Sequence, residues 1–314
     1  MILNNPTATR IFHFVKQIFL YVFPLIFITL IGIKLRKIGW YALVHALPTN
    51  PVFYALQIPA FFLLPTTEKM IFRLLLGAKN AVPLVILFRK RVLNTNVLEY
   101  SGETYLYNWM TKNRAVTRSQ LFHAVKDSAL LSGVAGFVVF LAVALYLLLS
   151  SPAVSGIIAQ NMKLATILVI LLPVVPALFF LNSGRKEGSF SKQQLAGVFF
   201  IHLFRSAGAL TLDMLIVFYA SSLYSFYLSF EIVALRLFIT RIPFLPSKDL
   251  VFIWLGISAA KVLNVPQAGL ATVLMIMTSL QQILDYLLIG LPWLVEHVRQ
   301  THLGKRKTKG SGTT

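Results

Sequence analysis

Apolar residues come in long blocks along this chain, separated by short polar stretches. From Ala129 to Ser150, 22 successive residues carry no charge. At about 1.5 Å per helical residue, that is enough to cross a hydrocarbon core about 30 Å thick. Further blocks lie at 17–33, 51–64, 70–88, 164–181, 194–217, 223–240, 250–265 and 268–291. Several are shorter than about 20 residues or contain proline, so one or two of them read as half-membrane or broken helices. The pattern predicts an all-α, polytopic membrane helix bundle with about eight transmembrane helices, give or take one, and re-entrant segments among them.

Composition strengthens that picture. The 314 residues are 57% hydrophobic and only 12% charged, where soluble domains hold about 25% charged residues. Formal charge is +19, from 29 basic and 10 acidic residues. The basic residues gather at 34–37, 89–91, 112–126, 185–192 and 305–309, which the block pattern makes loops and tail. That placement fits positive-inside bias and anionic headgroups, and argues against a nucleic-acid partner. Residues 1–296 read as one membrane domain and 297–314 as a basic, disordered cytoplasmic tail. The basic loop at 182–192 also reads as cytoplasmic, and four full crossings after it return the C-terminus to the same side. Pro6, Arg10, His13 and Lys16 precede an apolar run that meets Lys34, Arg36 and Lys37 without a small-residue cleavage site, so an uncleaved first helix is expected. There are no cysteines, which excludes disulfides and thiolate metal sites.

Two stretches break the apolar pattern. Val97 to Met110 carries Tyr100, Tyr105, Tyr107 and Trp109, aromatics suited to the headgroup level, so an interfacial or re-entrant hairpin is expected, with a plain surface loop as the alternative. If it is helical, Glu99 and Glu103 share a face with Tyr107, and Gly102 permits close backbone approach beside Glu103. The second break runs from Arg241 to Asp249, with Pro243 and Pro246 placed to end one helix and start another. The next run, Leu250 to Ala260, holds 11 residues before Lys261, about half a membrane crossing. A short polar-flanked segment thus follows an ordinary helix in each half, the arrangement that marks a central site in transporters built from repeats.

Between Gln193 and Thr240 the formally charged residues are Arg205, Asp213, Glu231 and Arg236. Each lies within apolar sequence, where a charge is costly and usually faces protein or a watery cavity. Arg205, Ala209 and Asp213 follow i+4 steps, yet Arg205 and Asp213 stand about 12 Å apart along an axis and cannot pair in a straight helix. Each therefore requires a partner on another helix or a ligand. Arg205 can grip a phosphate through two parallel hydrogen bonds, and Asp213 can receive a cation, an amine headgroup or a proton. Interhelical ion contacts that fix packing are the alternative. Glu231 and Arg236, nearer helix ends, are expected to reach water by snorkelling. Asp285 lies deep in the last apolar run. The six histidines form no metal-ligand pattern, and no nucleophile elbow, phosphate loop or dinucleotide fingerprint occurs. No catalytic residue, metal or cofactor is assigned.

Three marks give the chain a resemblance to a known family. They are Arg36-Lys37-Ile-Gly-Trp40; Leu98-Glu-Tyr-Ser-Gly102-Glu103 with the basic loop and return helix from Lys112 to Leu131; and Pro243-Phe-Leu-Pro246, Leu263-Asn-Val-Pro266 and Leu288-Ile-Gly290. In layout this resembles the flippase-like transmembrane domain of lysylphosphatidylglycerol synthase and its stand-alone relatives, from the first helix to about Leu294. The family pattern has a paired glycine after the second proline and an acidic residue soon after, where this chain has Ser247 and Lys248. The family's arginine after Gly-Glu falls near Leu106 and Tyr107. The resemblance implies movement of a phospholipid or modified envelope lipid between leaflets in a bacterial or archaeal plasma membrane. It also implies that the soluble aminoacyltransferase domain is absent, since about 20 residues follow the last helix. The competing readings are a noncatalytic scaffold for a membrane enzyme of envelope-lipid synthesis and an integral membrane transferase with Glu103 or Asp213 as base.

Overall fold

The structure, a computed structural model, describes residues 22, 25–96, 100–150, 190–221, 224–242, 245 and 247–309. Residues 17–21, 23 and 24 of the expected first crossing lie outside the described residues, as do the whole of the block at 164–181, Glu99, Pro243 and Pro246. Among the described residues the chain is all-helical, with no strand. In chain order the helices are α1 (25–38), α2 (Trp40–His45), α3 (Pro51–Ala55), α4 (Gln57–Leu76), α5 (Leu84–Asn96), α6 (Ser101–Asn113), α7 (Arg118–Ser150), α8 (Lys192–Ala220), α9 (Phe226–Thr240), α10 (Lys248–Ala259) and α11 (Gln267–Lys309).

Among the described residues, three stretches are long and apolar enough to cross a membrane: Arg118–Leu147 in α7, Lys192–Ala220 in α8 and Gln267–Leu288 in α11. Many large apolar side chains point outward from the bundle, among them Phe62, Leu145, Phe200 and Phe204. That is the surface a protein presents to lipid rather than to water.

Local chemistry explains where helices start and stop. Ser191 and Gln194 form a capping box at the head of α8: the Gln194 N–H donates to Ser191 Oγ (3.2 Å) and the Ser191 N–H to Gln194 Oε1 (3.1 Å). Asn50 caps α3 ahead of Pro51, accepting from the Val52 N–H. Helix α10 ends after 12 residues. Asn264 turns with φ 53°, the Val265 N–H donates to the Ala260 carbonyl, and Pro266 follows. The expected half-length helix is present, about 18 Å long.

Three sequence expectations change. The blocks at 51–64 and 70–88 are not two separate helices: α4 runs straight through the polar Thr66-Thr67-Glu68-Lys69 stretch and breaks at Gly77, whose φ is 82°. It continues because Thr66 and Thr67 donate their hydroxyls to carbonyls of the preceding turn and Glu68 finds a buried cation. The stretch around 100–113 is a helix packed on α5 and α7, with Leu106 and Met110 fully buried, so it is not a surface loop. Helix α7 extends through the polar residues before Ala129, reaching 33 residues, or about 50 Å.

Helices α4 and α8 pack together at the centre, with α3, α5, α7, α9 and α11 against one or both of them. Two large apolar cores result, with a small third cluster of Val143, Leu147 and Ala234 where α7 meets α9. One joins α9, α10 and α11 around Ile232, Phe252, Ile257 and Leu274, and the other joins α4 to α7 around Ile71, Leu87, Leu106 and Leu121. Helix α8 enters the second core with Val198 and the first with Ile216 and Val217. Between Leu203 and Leu215 none of its residues is buried.

Candidate functional site

Most of the interior charges meet where one helix contacts another. Lys90, from α5, forms ion pairs with Glu68 of α4 and with Glu103 of α6, the latter at 3.2 Å. Close packing brings the Glu103 end of α6 to α5. The Gly102 N–H donates to Asn94 Oδ1 (2.7 Å), Ser101 Oγ donates to the Leu93 carbonyl (2.8 Å), and a Cβ on Gly102 would collide with the Lys90 carbonyl. The close approach expected of Gly102 is therefore present, against α5.

On α8, buried His202 sits 3.2 Å from Ser128 Oγ, and Arg205 Nη2 donates to Ser132 Oγ at 2.7 Å. Two turns further, Asp213 Oδ2 accepts from Arg236 Nη1 of α9 at 2.9 Å. Arg236 Nη2 reaches Asp249 Oδ1 of α10 at 3.3 Å. Arg205 and Asp213 thus turn to different helices, as their separation along α8 requires. Asp285 of α11 faces Arg91 of α5 at 3.4 Å. Arg91 also donates Nη1 to the Phe61 carbonyl (2.7 Å) and lies over the Phe61 ring.

Two sequence readings are corrected. Arg236 does not snorkel: its guanidinium points inward between two carboxylates, and its side chain is only 16% exposed. Lys90 and Arg91, taken as a basic loop, lie within α5 with their side chains largely buried. Glu231 is half-buried on α9 and makes no ion pair among the described residues. It stands five residues before Arg236, about 140° around the helix. Tyr107 packs half-buried against the α4–α7 core and makes no hydrogen bond to the ion network.

Sequence reasoning missed Glu68 and Ser132 altogether and treated Lys90, Arg91, Asp249 and Arg241 only as loop residues. Glu68 had one readable sign: it is the single acid between residue 1 and Val97. Its neighbours Pro65, Thr66 and Thr67 imitate a turn. Not all of the network is satisfied: Glu103 Oε2 and Asp285 Oδ1 are buried without a hydrogen-bond partner. Among the described residues no group of three or more His, Asp or Glu side chains is placed to hold a metal ion.

No protein-family model, no curated protein and no solved structure matches the chain. Fold and site define it at the level of class: a helical membrane protein most of whose interior charges meet where one helix contacts another.

Proposed function

We propose that this chain is a flippase-type lipid transporter, moving a phospholipid or modified envelope lipid between leaflets within a bundle of about eight spans. The observation that supports the reading is the middle of α8. Over 13 residues none of its side chains is fully buried, although Leu210 and Met214 still pack against the α9–α11 core, and Arg205 and Asp213 are presented there. Lipid headgroups need such a polar track through apolar protein, because a bare charge or zwitterion in hydrocarbon is strongly disfavoured. In this proposal Arg205 meets the lipid phosphate, while Glu103 with its unpartnered Oε2 meets a cationic or polar headgroup. The layout resemblance to the lysylphosphatidylglycerol synthase membrane domain belongs to the same proposal, and with it a bacterial or archaeal plasma membrane.

One observation favours a second reading. Asp213, Arg236 and Asp249, like Glu68, Lys90 and Glu103, tie three helices each. A scaffold that holds a membrane enzyme of envelope-lipid synthesis would use its charges in this way.

The test is leaflet-to-leaflet movement of fluorescent phospholipids in liposomes carrying the purified chain, with Arg205→Leu and Glu103→Gln alongside. Transport predicts movement by the parent chain that falls at least about tenfold in the folded variants. No movement with any of several headgroups, aminoacylated ones included, would favour the scaffold.

A further inference from the structure

Among the described residues, three cations buried between helices have carboxylates and two, Arg205 and Arg241, have none; Arg114, at the end of α6, is held by the Ala81 and Asn113 carbonyls. Lys90 has two, Arg236 has two and Arg91 has one. Arg205 and Arg241 meet on one face of α7. Arg205, from α8, holds Ser132 Oγ. Arg241, the residue that ends α9, lies against Gly136, where an added Cβ would stand 2.6 Å from Nη1 and 2.7 Å from Nη2. Ser132 and Gly136 are one helical turn apart, about 6 Å along the axis. Among the described residues neither arginine reaches a carboxylate within ion-pair distance, and Arg241 Nε is buried with no hydrogen-bond partner.

Two guanidinium groups without counter-ions inside an apolar span are costly unless an anion joins them. A phosphate suits them, because each planar fork presents parallel donors to its oxygens. The surroundings favour a phosphate that carries acyl chains: Phe204 and Ile242, next to Arg205 and Arg241 in the chain, are 70% and 48% exposed, and Val138, two residues beyond Gly136, is 42% exposed.

We propose that Arg205 and Arg241, seated over the Ser132–Gly136 turn of α7, form a two-guanidinium site for the phosphate of an anionic phospholipid headgroup. The assignment deepens the lipid reading of the same region and rests on it for the source of the phosphate.

The experiment is equilibrium binding of acyl-labelled phosphatidylglycerol to the full chain in zwitterionic detergent, followed by fluorescence anisotropy. Unlabelled phosphatidylglycerol and inorganic phosphate serve as competitors. Arg205→Gln and Arg241→Gln should each weaken binding about tenfold, and Gly136→Ala should weaken it by displacing the Arg241 fork. Gly133→Ala, where an added Cβ meets nothing within 4 Å, should bind like the parent. Phosphatidylglycerol should displace the label, and inorganic phosphate at the same concentration should not.

Equal binding by the parent and by whichever of the Arg241→Gln, Arg205→Gln and Gly136→Ala variants are folded would overturn the site. Displacement by inorganic phosphate as effective as by lipid would overturn the lipid source. Tight, arginine-dependent binding without leaflet movement would remove the transporter reading and leave the site standing. Leaflet movement with binding indifferent to both arginines would do the reverse.

Discussion

Arg236 and Arg205 enter the bundle interior from adjacent helices and find different company. Arg236 lies between Asp213 and Asp249, so it ties α9 to α8 on one side and to α10 on the other. Arg205 has one neutral hydroxyl, Ser132. A buried cation with both forks filled by carboxylates can do little besides hold its helices in place, because any incoming ligand must displace a partner already desolvated. A cation with open valence is costly to keep and useful to a ligand. The same residue type therefore marks a joint in one place and a candidate contact in the other.

Four substitutions break or sharpen this contrast. The largest effect is expected from Arg236→Leu, which strands Asp213 and Asp249 together. Unfolding of the detergent-solubilised chain should register a loss of about 3–5 kcal/mol, and parent-like stability would show that Arg236 is no joint. Gly102→Ala comes next. Its Cβ would strike the Lys90 carbonyl, backbone that cannot swing away, so a loss of about 1–3 kcal/mol is expected in the same assay. Parent-like stability would mean that the α5–α6 contact is looser than described. Arg205→Leu should cost only about 1 kcal/mol of stability while lipid movement in liposomes falls at least about tenfold; a stability loss matching that of Arg236→Leu would place Arg205 among the joints. Gly133→Ala should leave unfolding within about 0.5 kcal/mol of the parent, and a larger change would mean that this exposed face of α7 is covered.

Much of the fold was legible in one dimension. Long apolar blocks identified α7, α8 and the apolar part of α11, because a crossing helix must satisfy its backbone internally and expose apolar side chains to lipid. The Asn264-Val265-Pro266 turn stops a helix by local conformation alone, whereas the stop at Gly77 lies inside the block read at 70–88 and was passed over. Legibility failed at α4, where Thr66, Thr67 and Glu68 look like the end of a helix. Local composition favours a turn there. What overrides it is Lys90, 22 residues away, whose charge makes Glu68 tolerable inside the bundle.

The candidate site was half legible for a related reason. Arg205, Asp213 and Asp285 stood out because isolated charges in apolar sequence are conspicuous. Lys90, Arg91 and Arg241 did not, since each sits beside another basic or polar residue at the edge of a block and resembles ordinary loop charge. Only the packing separates them, burying Lys90 while its neighbour Arg89 carries no ion pair among the described residues.

Sequence by itself determined that this is a helical membrane protein with costly interior charges, because the free energy of placing a residue in hydrocarbon depends on that residue and its near neighbours. Tertiary structure decided which charges are neutralised and which stay open. Partners such as Arg205 and Ser132 lie 73 residues apart, and at such separations only the packing of α8 against α7 brings the two side chains within reach.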